Sequence, residues 1–95
     1  MARLLMQTKK GVKEFTLGAN PITVGRLPAN TLAFKSDERM SRQHFIIKST
    51  PDGYILMDLN SVNGTFVNGE RVTEHRLKDG DKIQAGHTIF VFKED

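Results

Sequence analysis

Apolar residues in this 95-residue chain form short runs that alternate with turn-forming residues. No stretch repeats apolar residues at intervals of three and four over three turns, as an amphipathic helix would. The runs are rich in Val, Ile, Phe, Leu and Thr, which favour extended strands. The pattern therefore predicts an all-β protein. The predicted strands cover residues 3–8, 13–17, 22–25, 31–34, 44–50, 54–59, 65–67, 82–83 and 88–93.

Turn-forming residues separate the predicted strands and keep most connections short. Glycine and asparagine tolerate the positive φ of tight turns, and they occur in four pairs: Lys10-Gly11, Asp52-Gly53, Asn68-Gly69 and Asp79-Gly80. Many short strands with short connections are typical of two antiparallel sheets packed face to face. The core expected between these sheets consists of Phe15, Ile22, Val24, Phe45, Ile47, Leu56, Val67, Ile83, Ile89 and Val91.

Three segments depart from simple alternation of apolar and polar residues. Residues 88–92 are apolar at both alternate positions, so this strand should lie centrally in a sheet or have one face covered by another segment. Residues 27–43 and 59–64 are polar and carry little strand pattern. Loops held by a rigid scaffold often carry function. These two polar stretches are therefore the candidates for a functional site.

Composition and charge exclude several classes of protein. The 14 Lys and Arg residues against 11 Asp and Glu residues leave a net charge of +3, which attracts anions without resembling a nucleic-acid-binding arm. The absence of cysteine excludes disulfides and thiolate metal sites. The first residues do not have the order of a secretory signal, and no apolar run approaches the roughly 18 residues of a membrane span. We expect a cytoplasmic protein.

The stretch ERMSRQHFII, residues 38–47, places Ser41 and His44 close together and raises the question of catalysis. A nucleophilic serine needs a base, an orienting acid and an oxyanion hole, often on a glycine-rich turn. No glycine neighbours Ser41, although the sequence alone leaves a triad with Asp58 open. The histidines lack metal-ligand spacing, and no P-loop occurs. We expect neither an enzyme nor a metal or cofactor site.

Recognition of an anion accounts for more of these residues. Arginine offers a planar fork of donors to phosphate oxygens, serine adds a hydroxyl donor, and asparagine can both donate to and accept from a peptide backbone. Arg26, Ser41 and Asn63 all stand near the ends of predicted strands. If these ends converge, they form a shallow site for a phosphorylated side chain on an extended peptide.

Five ordered sequence blocks resemble the forkhead-associated (FHA) domain. They are Gly25-Arg26, the stretch SRQH at residues 41–44, the stretch SVNGTFVNG at residues 61–69, the stretch LKDGDKI at residues 77–83, and Gly86. The resemblance covers nearly the whole chain, and we read residues 1–95 as one domain. It implies an eleven-stranded β-sandwich that binds phosphothreonine peptides through loops at one end.

The resemblance also implies a role for individual residues. The phosphate would be bound by Arg26, Ser41 and Arg42. Asn63 would hold the peptide main chain beside the phosphothreonine. The site would be supported by Gly25, His44, Gly64 and Thr65. Val62 stands where the family often has a polar phosphate contact, so the site would depend more on Arg42.

The expected partner is a phosphothreonine-containing protein or peptide of a Ser/Thr protein kinase pathway, with no cofactor, no nucleic acid and no membrane. We expect the isolated domain to be monomeric. One alternative is phosphate-independent binding or self-association through the same loops or the apolar face around Leu32 and Phe34. Nucleic-acid binding is favoured by an isoelectric point of about 9.5. However, only 7% of the residues are aromatic, and most of these occupy apolar strand positions rather than a stacking face.

Overall fold

The computed structural model describes residues 1–95 and contains eleven β-strands. In chain order they are β1 (Ala2–Thr8), β2 (Gly11–Leu17), β3 (Ile22–Gly25), β4 (Leu32–Ala33), β5 (Phe45–Thr50), β6 (Gly53–Asp58), β7 (Thr65–Val67), β8 (Glu70–Val72), β9 (Glu74–Arg76), β10 (Lys82–Ala85) and β11 (Thr88–Glu94). No helix of the length and apolarity needed to cross a membrane is present.

The strands form two sheets, which confirms the predicted all-β sandwich and its eleven strands. The six-stranded sheet has the order β2-β1-β11-β10-β7-β8, and the five-stranded sheet has the order β4-β3-β5-β6-β9. Neighbouring strands are antiparallel except for the short pair β3 and β4, which is parallel. The sequence pattern missed β8 and β9, because each is a three-residue edge strand that is mostly polar.

The core lies between the sheets and is built around edge-to-face aromatic contacts. Phe90 lies 5.9 Å from Phe45 and 5.6 Å from Phe34 between ring centroids, and Phe92 lies 6.0 Å from Tyr54. Such geometry aligns the positive edge of one ring with the negative face of another. The expected core positions that are buried are Val24, Phe45, Ile47, Leu56, Val67 and Ile83.

The prediction for β11 named the wrong alternate positions. Ile89 and Val91 were expected in the core, but Ile89 is 41% exposed, whereas Phe90 and Phe92 are completely buried. The strand is central, between β1 and β10, as its apolar character predicted. Because the residues on both faces of this strand are apolar, the pattern could not tell which face packs against the opposite sheet. The larger Phe side chains fill the space between the sheets.

Asp81, just before β10, connects the β7–β8 turn, β9 and the turn between β9 and β10. Its carboxylate accepts hydrogen bonds from the Lys78 backbone N–H at 2.8 Å, from Asn68 Nδ2 at 2.9 Å and from His75 Nε2 at 3.0 Å. Asn68 also forms, with Gly69, the positive-φ turn between β7 and β8. Burial works to raise the pKa of Asp81, but these hydrogen bonds outweigh it and hold the pKa below its ordinary value.

The packing of β11 predicts that Phe90→Ala lowers the free energy of unfolding by about 3–5 kcal/mol, since it empties a fully buried aromatic site. Ile89→Ala, one position away and on the outer face, should cost about 1 kcal/mol or less. Urea denaturation of the two variants measures both values. Equal losses would contradict the assignment of faces.

The lowered pKa of Asp81 predicts an acid-sensitive contribution to stability. The folded-state pKa lies below the unfolded value of about 3.9, so the ionised carboxylate contributes its full stability above the unfolded pKa. This contribution is lost as the pH falls from there through the folded-state pKa. Unfolding free energies measured between about pH 5 and pH 2.5 should therefore decline less steeply in Asp81→Asn than in the wild type. Asp52→Asn, in an exposed turn, should decline like the wild type.

Candidate functional site

Three loops meet at one end of the sandwich: the β3–β4 loop (residues 26–31), the β4–β5 loop (residues 34–44) and the β6–β7 loop (residues 59–64). Between them lies an open groove, called here the Arg26 groove. It is lined by Arg26, Leu27, Ser41, Arg42, Gln43, Leu59, Asn60 and Val62. The structure thus brings together the three residues expected to bind phosphate, although Ser41 and Arg42 are 15 or more positions from Arg26 in the sequence.

Backbone hydrogen bonds place Arg26 beside Ser41. The Arg26 N–H donates to the Ser41 carbonyl at 3.0 Å, and the Leu27 N–H donates to the Arg42 carbonyl at 3.3 Å. Gly25 permits this approach, because a Cβ at its position would lie 2.3 Å from the Arg42 carbonyl oxygen. Any side chain there would push the β4–β5 loop away from the end of β3.

Asn30 reinforces the same junction and was not found from the sequence. Its buried Nδ2 donates to the Leu27 carbonyl at 2.9 Å and to the Arg42 carbonyl at 2.7 Å. The side chain therefore holds the β3–β4 loop closed and fixes the backbone of Arg42. The Pro-Ala-Asn sequence predicts a turn. It does not predict the hydrogen bond of Asn30 to the Arg42 carbonyl, because that carbonyl is twelve residues away.

His44 is completely buried and links the two loops on either side of the groove. Its Nδ1 accepts from the Ser41 N–H at 3.0 Å, and its Nε2 lies 2.8 Å from the Gly64 carbonyl. Since a carbonyl can only accept, Nε2 carries the hydrogen and Nδ1 does not. The bond to Ser41 is made through the backbone and not through its hydroxyl. The ring is therefore not placed as a base for Ser41.

Asp58 supports the β6–β7 loop and is not part of a triad with Ser41. It accepts hydrogen bonds from the Ser61 hydroxyl at 2.6 Å, the Ser61 N–H at 3.1 Å and the Thr65 hydroxyl at 2.7 Å. Burial works to raise the pKa of Asp58, but these hydrogen bonds outweigh it and hold the pKa below its ordinary value. The Ser61 hydroxyl in turn accepts from the Gly64 N–H at 3.1 Å.

The donors that face the Arg26 groove have few acceptors within the protein. The Ser41 hydroxyl accepts from the Val62 N–H at 2.9 Å, which leaves its own hydrogen free to donate. The Arg42 N–H donates to no protein acceptor. Arg26 makes no ion pair, and its Nε is buried without a hydrogen-bond partner. Unpaired donors beside an open groove are what an anion would satisfy.

Asn63 stands next to the groove and is oriented by Arg39. Its Nδ2 donates to the Arg39 carbonyl at 2.8 Å, and its Oδ1 lies 3.4 Å from Arg39 Nη2. One Nδ2 hydrogen and a lone pair of Oδ1 remain available. Thr65, at the start of β7, is buried and contacts Asp58 rather than the groove. No three His, Cys, Asp or Glu side chains are grouped to hold a metal ion.

Comparison with known proteins agrees with this geometry. Residues 22–86 match the family model of the FHA domain. The chain is 34% identical over 91 residues to the oxoglutarate dehydrogenase inhibitor of Corynebacterium jeikeium (strain K411), an alignment that covers 93% of this chain and 62% of that protein. The chain thus spans less than two thirds of that relative's length.

Solved structures show the same likeness over nearly the whole chain. An FHA domain from a structural and functional analysis of phosphothreonine-dependent FHA domain interactions has a TM-score of 0.89 at 31% identity, and the match covers 99% of this chain and 96% of that one. The FHA domain of FhaA, in complex with the intracellular domain of Rv3910, has a TM-score of 0.88 at 31% identity, with 98% and 100% covered. By family model, sequence and structure, the chain belongs to the FHA domain family.

Proposed function

We propose that the chain, acting over residues 1–95 as one unit, is a non-enzymatic module that binds phosphothreonine peptides in Ser/Thr kinase signalling. The observation that carries the proposal is the convergence of Arg26, Ser41 and Arg42 on one groove, where Arg26 makes no ion pair and the protein leaves the Ser41 hydroxyl hydrogen and the Arg42 N–H without an acceptor. The proposal is also supported by a solved FHA domain of almost the same length, which comes from an analysis of phosphothreonine-dependent FHA domain interactions.

The groove has the chemistry needed for a phosphate group. A phosphothreonine carries about −1.5 to −2 charges at pH 7 and three strong acceptor oxygens. Arg26 would supply a charge-assisted fork, the Ser41 hydroxyl a short hydrogen bond, and Arg42 its free backbone N–H together with its side chain. Hydrogen bonds to a charged group contribute roughly 1.5–3 kcal/mol each. Two or three of them would dominate the affinity for the peptide.

Asn63 would hold the main chain of the peptide beside the phosphothreonine. Its side chain is already oriented by the Arg39 carbonyl, and its remaining donor and acceptor match the C=O and N–H of an extended peptide. The ligand would not contact Gly25, His44, Gly64 or Thr65. These residues would hold the loops in position. The partner would be a phosphothreonine-containing protein, and the absence of cysteine fits a cytoplasmic location.

A second candidate function is phosphate-independent protein binding on the same scaffold. It is favoured by a separate groove on the outer face of the six-stranded sheet, which shares no residue with the Arg26 groove. This groove is largely apolar, and its lining includes Leu5, Val12, Ile89 and Val91 together with Lys9, Lys82 and Lys93. Leu32 and Phe34 are half-buried against the core, and Phe34 also lines this groove.

The proposed phosphate contacts predict that Arg26→Ala weakens binding of a phosphothreonine peptide roughly ten- to hundredfold, because one charge-assisted contact is lost. Ser41→Ala should have a similar effect. Fluorescence anisotropy with a degenerate phosphothreonine peptide pool, beside matched phosphoserine and unphosphorylated pools, measures the affinities. We expect the phosphothreonine pool to bind most tightly and the unphosphorylated pool not to bind.

Matched controls are available away from the groove. Arg76→Ala on β9 and Ser49→Ala on β5 remove the same side chains from exposed positions, and both should bind like the wild type. Thermal unfolding confirms that each variant is folded. A folded Arg26→Ala protein with wild-type affinity would rule out the proposed site. Equal binding of phosphorylated and unphosphorylated pools would instead support the second candidate function.

Recognition of a dianionic phosphate predicts that binding weakens by up to about tenfold between pH 7.5 and pH 5, because the second phosphate pKa is near 6. Titrations across this range with one phosphothreonine peptide measure the change. A phosphonate analogue with a lower second pKa should keep its affinity to lower pH, which separates ligand titration from protein titration. An affinity that does not change with pH would be incompatible with a site that reads the dianion.

A further inference from the structure

The groove on the outer face of the six-stranded sheet, called here the outer groove, takes no part in the proposed phosphate site. Its apolar lining includes Leu5 on β1, Val12 on β2, and Ile89 and Val91 on β11, which are three adjacent strands. The register places Leu5 opposite Val91 and Gln7 opposite Val12. Residues opposite each other, and residues two apart on a strand, point to the same face of a sheet. The four apolar side chains therefore form one patch, called here the outer patch.

The outer patch is open to solvent. Val12 is 61% exposed and Ile89 is 41% exposed, and Leu5 and Val91 are half-buried. A single exposed apolar residue is ordinary on a protein surface, but adjoining apolar residues on three strands are typical of an interaction site. The patch therefore fits a partner that is apolar where it makes contact.

Cationic side chains lie beside the outer patch. Lys9, in the β1–β2 turn, and Lys82, on β10, line the outer groove, and neither forms an ion pair within the protein. Lys82 lies directly opposite Val91. No aspartate or glutamate lines the groove, and Glu14, which neighbours it on β2, is paired with Arg3 at 3.4 Å. Complementary charge thus favours a partner with carboxylates beside its apolar residues.

The position of the outer patch within the sheet decides the backbone conformation of its occupant. The patch lies mainly over β1 and β11, whose backbone N–H and C=O groups are bonded to the strands on either side. This face therefore offers side chains and no backbone partners. An extended peptide laid across it would lose water from its own backbone without gaining hydrogen bonds, which costs free energy. A helix bonds its backbone internally and presents an apolar stripe, so it fits this face.

We propose that the outer groove binds an amphipathic helix of a partner protein, with the apolar stripe of the helix on the outer patch and with aspartate or glutamate side chains beside Lys9 and Lys82. This inference identifies a partner for the phosphate-independent binding considered above, and it does not depend on phosphothreonine recognition. A helix in the outer groove and a phosphopeptide in the Arg26 groove would be bound at the same time, because the two grooves share no residue.

The test is a selection from displayed peptides with the 95-residue protein as bait. One library is a helical scaffold of about 18 residues, or five turns, randomised at its surface positions, and a second library contains unconstrained random peptides of the same length. The displayed peptides carry no phosphate. We expect enrichment from the helical library of sequences with apolar residues at intervals of three and four, flanked by aspartate or glutamate.

Variants of the outer groove locate the binding of the enriched peptides. The double variant Val12→Ala/Ile89→Ala should weaken it roughly five- to twentyfold, because it removes the exposed part of the patch. Lys82→Glu should weaken it roughly two- to tenfold, and peptides with lysine in place of the acidic residues should regain affinity for this variant. Fluorescence anisotropy measures the affinities, and thermal unfolding confirms that each variant is folded.

Matched controls for these variants lie elsewhere on the surface. Val62→Ala removes a valine that is 83% exposed beside the Arg26 groove, and Lys48→Glu reverses an exposed charge on β5 of the other sheet. Both should bind the enriched peptides like the wild type.

Three outcomes would overturn the proposal. The first is that no enriched peptide distinguishes the wild type from the double variant. The second is enrichment from the random library alone of extended segments, which would indicate addition of a strand to the edge of β2. The third is a dimer of the wild type in sedimentation velocity that the double variant does not form, since a second copy of the chain would then occupy the patch.

Failure of this inference can be told from failure of the proposed function. Arg26→Ala should bind the enriched helical peptides like the wild type, and the Val12→Ala/Ile89→Ala variant should bind the phosphothreonine pool like the wild type. Loss of helix binding in a folded Arg26→Ala protein would place the helix in the other groove and overturn the inference. Absence of phosphopeptide binding would overturn the proposed function and leave the outer groove to be judged by the selection alone.

Discussion

The functional end of the sandwich depends on the hydrogen bonds of one buried histidine. His44 uses all four of its polar groups: its N–H donates to the Val24 carbonyl, its carbonyl accepts from the Leu59 N–H, and its ring joins Ser41 to Gly64. These bonds connect the end of β3, the end of β6 and the two loops between which the groove lies. Imidazole can serve here because one ring carries both a donor and an acceptor at fixed separation.

Around this histidine, the loop backbones are hydrogen-bonded within the protein, while donors at the groove remain without an acceptor in the protein. Asp58 and Asn30 each bind backbone or hydroxyl groups of a neighbouring loop, so that few polar groups are left to rearrange. The unpaired donors are concentrated at Arg26, Ser41 and Arg42. A site of this kind does not have to order its loop backbones when a ligand binds, which saves part of the entropic cost of association.

The sequence predicted those features of the fold that depend on residues close together in the chain. The strand bounds of β3 and β7, residues 22–25 and 65–67, matched at both ends, because turn residues flank each apolar run. The faces of β11 could not be predicted, since both alternations are apolar and only packing against Phe45 decides between them. Short polar edge strands left no periodic signal at all.

The site shows the same division between local and long-range information. The residue types at Arg26, Ser41 and Asn63 indicated an anion site, but their convergence follows from topology, which pattern alone does not contain. The contact of Asn30 with the Arg42 carbonyl spans twelve residues and had no sequence signal. The placement of Arg71 over Gly64 depends on the register of a hairpin whose second strand was not predicted.

The close approach of Gly25 to the Arg42 carbonyl has a consequence for the kinetics of recognition. Because these contacts fix the loops at their base, we expect a peptide bound at the proposed site to undergo most of the conformational adjustment. A flexible segment, which could reach both a kinase active site and this groove, would suit the proposed function. Differences among ligands would then appear mainly in how long each complex lasts and less in how fast it forms.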